Sequence, residues 1–199
     1  MSIHTRRTDT GMFSGERLPT LTAPRVALRW LTAADAGALF AIFSDPAVMR
    51  YWSTLPMSDI AQARKLIADI HEGFRARRLF QWGIARLDDD RIIGTCTLFA
   101  INETQGRGEI GYALGHEFWG RGYMNEALKA LIDFAFGKLG MRRLEADTDP
   151  RNAGSLHALE RLGFRREGLL RERWKVNDEL QDSVVLGLLS HEWRPGPTE

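Results

Sequence analysis

The chain has a single cysteine, Cys96, among 199 residues. One thiol excludes an intrachain disulfide and a cysteine-built metal cluster. It sits in the apolar run 92–101, where a small buried thiol is the plain reading and a reactive one is not expected. An excess of one charge is missing too, since 27 basic residues face 26 acidic ones. Nothing there recommends nucleic acid or an anionic membrane as a partner. No apolar run approaches the ~18–20 residues that a membrane span needs, and residues 1–20 carry no signal-peptide hydrophobic region. The expected location is therefore the cytoplasm. The histidines (His4, His71, His116, His157 and His191) form no spaced set with each other, with Cys96 or with carboxylates, so no metal site is expected.

What is present suits one soluble globular domain, with 44% hydrophobic and 27% charged residues. Residues 1–21 show no period and read as a flexible arm, 194–199 as a flexible tail, and 22–193 as the domain. Alternation and turn residues predict strands at 25–30, 80–87, 91–101, 107–114, 142–148, 164–176 and 180–189. Thr32 with Asp35 opens a first helix that closes near residues 44–46, and Ser58 caps a second. A long helix follows at 122–138, and another at 152–162 ends on Gly163. The order β-α-α-β-β-β-α-β-α-β-β predicts an α/β fold, a mixed sheet of about seven strands flanked by about four helices.

One segment carries chemistry. Strand "EIGYAL" (109–114) runs into "GHEFWGRGYM" (115–124), and the long helix follows at once. A helix start leaves N–H groups without intrahelical partners, and its dipole favours an anion. Gly120 and Gly122 let backbone approach a phosphate without a Cβ in the way, and Arg121 adds positive charge. Alone, two glycines at such a junction more often make a plain turn. Further on, "DPRNAGS" (149–155) leads into a helix finishing with "LERLGF" (159–164).

With these pieces and the closing "VNDELQDSVVLGLL", residues 22–193 resemble the GNAT superfamily of N-acetyltransferases, in the RimJ/RimL-like branch that acetylates ribosomal protein N-termini. The resemblance implies the acyl-CoA N-acyltransferase fold and acetyl-CoA as cosubstrate, with an amine acceptor, either a peptide N-terminus or a small molecule. It implies that pantetheine pairs along Tyr112, Ala113 and Leu114, and that pyrophosphate lies over Trp119, Gly120, Arg121, Gly122, Tyr123, Met124 and Asn125. Met124 is larger than the family's usual Gly or Ala at that position, and Trp119 replaces its Gln or Arg. A backbone N–H near Leu114 would polarise the thioester carbonyl. The tyrosine that many members place seven residues after the Asn is Leu159 here. The RimL-like branch uses a serine three residues after the Asn, so the resemblance implies Ser155 as the acid, with Asn152 and Ser155 also at the cofactor. Read from the residues alone, Asn152 is a helix cap and Ser155 a first-turn hydroxyl.

Glu109 is the expected base, with Glu145 and Asp147 on the next strand and Trp52 in the inter-helix loop as acceptor-side residues. Strand-end salt bridges explain the carboxylates equally well. A homodimer is within the family's habit, but no segment specifies an interface. Two other readings stay open. One is an acyl-CoA-binding module without turnover. The other is a nucleotide-binding oxidoreductase, although Asn125 stands where its third glycine is required.

Overall fold

Eight strands make one mixed sheet in the computed structural model, which describes residues 17–194. They are β1 (Leu21–Thr22), β2 (Val26–Arg29), β3 (Leu79–Arg86), β4 (Ile92–Asn102), β5 (Arg107–Leu114), β6 (Arg143–Thr148), β7 (Arg165–Val176) and β8 (Glu179–Leu189). Their order across the sheet is β1-β2-β3-β4-β5-β6-β8-β7, and only β5 and β6 run parallel. The α-helices are α1 (Ala36–Phe43), α2 (Pro46–Met49), α3 (Ile60–Arg75), α4 (Tyr123–Asp133) and α5 (Ala153–Arg161).

The expected mixed α/β sheet is present, with one strand and one helix more than the sequence pattern implied. Both additions are too short to show a period. β1 has two residues, and α2 is a single turn, opened by the Asp45 carboxylate accepting the Ala47 N–H at 2.8 Å.

Several boundaries shift. The cap of α3 is Asp59, whose carboxylate accepts the Ala61 N–H at 2.8 Å; Ser58 instead donates its backbone N–H to Gln62. The long helix stops being α-helical at Asp133 and continues as a wider turn over Phe134–Lys138. The packed chain begins before residue 22, because Leu18 is buried and the Trp82 indole N–H donates to the Pro19 carbonyl at 2.8 Å. The rest of the expected arm, 1–16, and residues 195–199 of the tail lie outside the described residues.

Helices cover both faces of the sheet. Leu128, Leu131 and Ile132 of α4 and Leu156 and Leu159 of α5 join Ile110, Leu144 and Leu186 in one core. Leu39 and Ile42 of α1 pack with Ile67 and Ile70 of α3 in the other. Each fully buried Leu or Ile is worth about 1.5–3 kcal/mol, so packing, more than propensity, holds short helices such as α5 in place. Among the described residues, no helix is long and apolar enough to cross a membrane.

Candidate active site

β5 and β6 are hydrogen-bonded only from Arg107↔Arg143 to Glu109↔Glu145. Beyond that point β5 runs on to Leu114 and β6 to Thr148, and the two strands part. On its other side β5 stays paired with β4 as far as Gly94↔Leu114. Backbone groups along a ladder alternate in direction. The Gly115 N–H donates to the Ile93 carbonyl at 2.8 Å, so the odd-numbered residues of β5 face β4. The even-numbered ones face β6, as the Gly106 carbonyl does in accepting the Arg142 N–H at 2.8 Å. The N–H and C=O of Tyr112 and the N–H of Leu114 therefore open onto the gap, without a strand partner among the described residues. An extended ligand with amide groups could add to the sheet there.

The gap leads to the start of α4. Gly120 has φ +72° and Gly122 φ +84°, left-handed values that a Cβ would strain. Gly122 stands at the N-cap with no side chain, so the first N–H groups of α4 remain available to an anion. The turn is gripped from outside by Arg25. Its guanidinium donates to the Arg121 carbonyl at 2.9 Å and to Glu126 at 2.6 Å, and lies 4.7 Å from the centre of the Tyr123 ring. Trp119 adds an internal tie, its indole N–H donating to the Leu114 carbonyl at 2.7 Å.

All the expected cofactor residues except Arg121 and Tyr123 line one cleft of about 1610 Å³. Met124, the large residue in the turn, also packs against the core.

α5 starts at the same cleft. The Asn152 side chain accepts the Ser155 N–H at 3.1 Å, an N-cap. The Ser155 hydroxyl lies 2.7 Å from the Tyr112 hydroxyl, across from β5. Burial pushes the Tyr112 phenol up to about 12, against the opposing effect of the Ser155 hydrogen bond. Leu159 is completely buried in the core.

Glu109 and Asp147 line the cleft, and Glu145 is not among its lining residues. Glu145 is held by Arg143 at 2.7 Å and Arg107 at 3.1 Å. Asp147 pairs with Arg173 at 3.0 Å. Glu109 makes no side-chain hydrogen bond or ion pair among the described residues. Burial raises its carboxyl above the ordinary range, and the nearby Asp147 and Glu145 add to the shift. Trp52 lines the cleft with its ring edge-on to Phe43, 5.5 Å between centroids.

Three features were not anticipated from the residues: the Tyr112 hydroxyl, the Arg25 grip, and Arg173 with Trp174 in the cleft wall. A faint signal existed for the first. Tyr112 shares its face of β5 with Ile110 and Leu114, and a polar atom on a buried face needs a partner. The third depends on a bulge in β7, where the register shifts between Leu170 and Trp174 and Glu172 takes φ +51°.

Residues 25–165 match a family described as the acetyltransferase (GNAT) domain. The chain belongs to the GNAT acetyltransferases. Among relatives, the uncharacterized N-acetyltransferase p20 of Bacillus licheniformis is 37% identical over 176 residues, covering 88% of this chain and 99% of its own. The spermidine N-acetyltransferase from Vibrio cholerae, solved in complex with CoA and spermine, superposes with a TM-score of 0.75 at 20% identity, over 84% of this chain and 97% of its own. The ribosomal-protein-S5-alanine acetyltransferase from Vibrio fischeri gives 0.76 at 22% identity, over 89% and 100%. At those identities the likeness is one of fold. This GNAT chain is an N-acetyltransferase, and its sheet is that of the acyl-CoA N-acyltransferases.

Proposed function

We propose that this enzyme transfers the acetyl group of acetyl-CoA directly to the α-amine of a peptide N-terminus. The observation that carries the proposal is the gap between β5 and β6, with free backbone groups at Tyr112 and Leu114, glycine-bounded N–H groups at α4, and the Ser155 hydroxyl facing it. Acetyl-CoA supplies an activated thioester. Tyr112 holds its extended arm through its backbone N–H and C=O, and the α4 start takes the pyrophosphate. The Leu114 N–H polarises the thioester carbonyl as the amine nitrogen bonds to it. When the C–S bond breaks, Ser155 gives the departing sulfur a proton and recovers one from solvent in the open cleft. Glu109 takes the proton lost by the amine, through water, and releases it to solvent.

The choice of amine rests on proton supply. At pH 7.5 roughly a third of an α-amine is neutral, against about one part in a thousand of a lysine-type amine. A site with one half-buried carboxylate as base suits the former. A second reading, a polyamine acceptor, is favoured by the unpaired Glu109 beside Asp147, which would attract a second ammonium. The spermidine enzyme of similar fold is compatible with it. Competing an N-terminally free peptide against spermidine, with free-thiol release as readout, separates them. A higher kcat/KM for the peptide is expected; a higher value for spermidine would replace the first reading with the second.

A further inference from the structure

We infer that Tyr112 is a positioning residue for Ser155: its hydroxyl donates to Ser155 Oγ and thereby turns the one serine proton into the gap, toward the sulfur. The inference rests on the proposed role of Ser155 as proton donor. Tyr112 and Ser155 lie 43 residues apart, on β5 and at the first turn of α5, and their hydroxyls meet at 2.7 Å. A hydroxyl pair has two possible arrangements. In one, Ser155 donates to Tyr112 and Tyr112 must donate elsewhere. Its other acceptor among the described residues is the Ser155 carbonyl at 3.4 Å, which is long for an O–H donor and belongs to a helix whose own N–H groups compete for it. The other arrangement gives Tyr112 the short bond and leaves the Ser155 proton free.

The second arrangement agrees with three further facts. Tyr112 is largely enclosed, so its phenol stays protonated at working pH and acts as a permanent donor. Asn152 takes the Ser155 backbone N–H and fixes where the side chain begins. Leu159, one turn further along α5, brings no hydroxyl and is filled into the core. A phenol from the strand therefore stands near the place where the helix has no tyrosine, and it works through the serine. Tyr112 keeps its proton throughout, so no additional proton acceptor is needed.

The test is a double-mutant cycle of Tyr112→Phe and Ser155→Ala, measured as thiol release with saturating peptide and varied acetyl-CoA. Phe keeps the ring packed and removes only the hydroxyl. Tyr112→Phe is expected to lower kcat about tenfold, the worth of one hydrogen bond, with the acetyl-CoA KM unchanged. In the Ser155→Ala background the same change is expected to cost nothing further. Ser155→Thr, which keeps a hydroxyl for Tyr112, is expected to stay well above Ser155→Ala and to fall when Tyr112→Phe is added. Wild-type kcat in Tyr112→Phe, or an equal loss in both backgrounds, overturns the inference while leaving Ser155 in place. Wild-type kcat in Ser155→Ala removes Ser155 from the mechanism and the inference with it. Loss of the fold in Tyr112→Phe, seen by thermal melting, would show that the hydroxyl serves stability and likewise overturns it.

Discussion

At the scale of single residues, Glu109 is the group whose surroundings most resemble a tuned base. It is half-buried in the cleft wall, carries no partner among the described residues, and has two carboxylates nearby. Burial and that repulsion raise its pKa above the ordinary carboxylate value. The sign follows for both rate and stability. As base it works ionised, so kcat/KM falls as pH drops through the raised pKa. In the folded protein its ionisation is disfavoured, so its contribution to stability is present below the unfolded pKa and lost as pH rises through the folded one. Glu109→Gln is expected to remove the carboxylate's inflection from the acid limb of the kcat/KM profile, leaving only that of the substrate amine, and to melt no lower than wild type at neutral pH. Profiles of both proteins from acid to neutral, with thermal melts, check this; an unchanged acid limb would remove Glu109 as base.

At the scale of elements, the glycine turn ahead of α4 is held by a residue about a hundred positions away. Arg25, just ahead of β2, ties to Glu126 in α4 and to the Arg121 carbonyl in the turn. A Cβ at Gly122 would lie 3.0 Å from the Arg25 guanidinium, so the glycine and the arginine fit one another. Arg25→Ala is expected to raise the acetyl-CoA KM about three- to tenfold with kcat nearly unchanged, the pattern of lost ground-state binding. Steady-state kinetics with varied acetyl-CoA measure the split, and a loss confined to kcat would contradict it. In α5 the expectation is negative. Leu159 has no exposed surface, so Leu159→Tyr overpacks the core and costs about 1–3 kcal/mol. It is expected to lower the melting temperature without raising kcat, and a gain in kcat would mean that a hydroxyl at this position, which borders the cleft, can serve the reaction.

At the scale of the whole molecule, local features of the site were legible and distant pairings were not. The glycine turn, the Asn152 cap and the alternating strands each depend on neighbours within a few residues, and their conformations follow from that chemistry. The parting of β5 from β6 depends on which strands pair and where pairing stops, which no period records. The Arg25–Glu126 and Tyr112–Ser155 contacts join residues 101 and 43 positions apart. Glu145 looked like a cleft carboxylate because it shares a face of β6 with Asp147, yet Arg107 and Arg143 claim it. Asp147 pairs with Arg173, which lies in the stretch of β7 where the register shifts.

The proposed reaction is direct transfer from acetyl-CoA to a peptide α-amine in the gap between β5 and β6. Its most direct measurement combines free-thiol release with mass analysis of a peptide bearing a free N-terminus, against the same peptide with a blocked one. Saturable, stoichiometric thiol release and an acetyl group on the α-amine of the free peptide alone are expected. No thiol release and no acetylated peptide, across N-terminal residues of differing size, would contradict it.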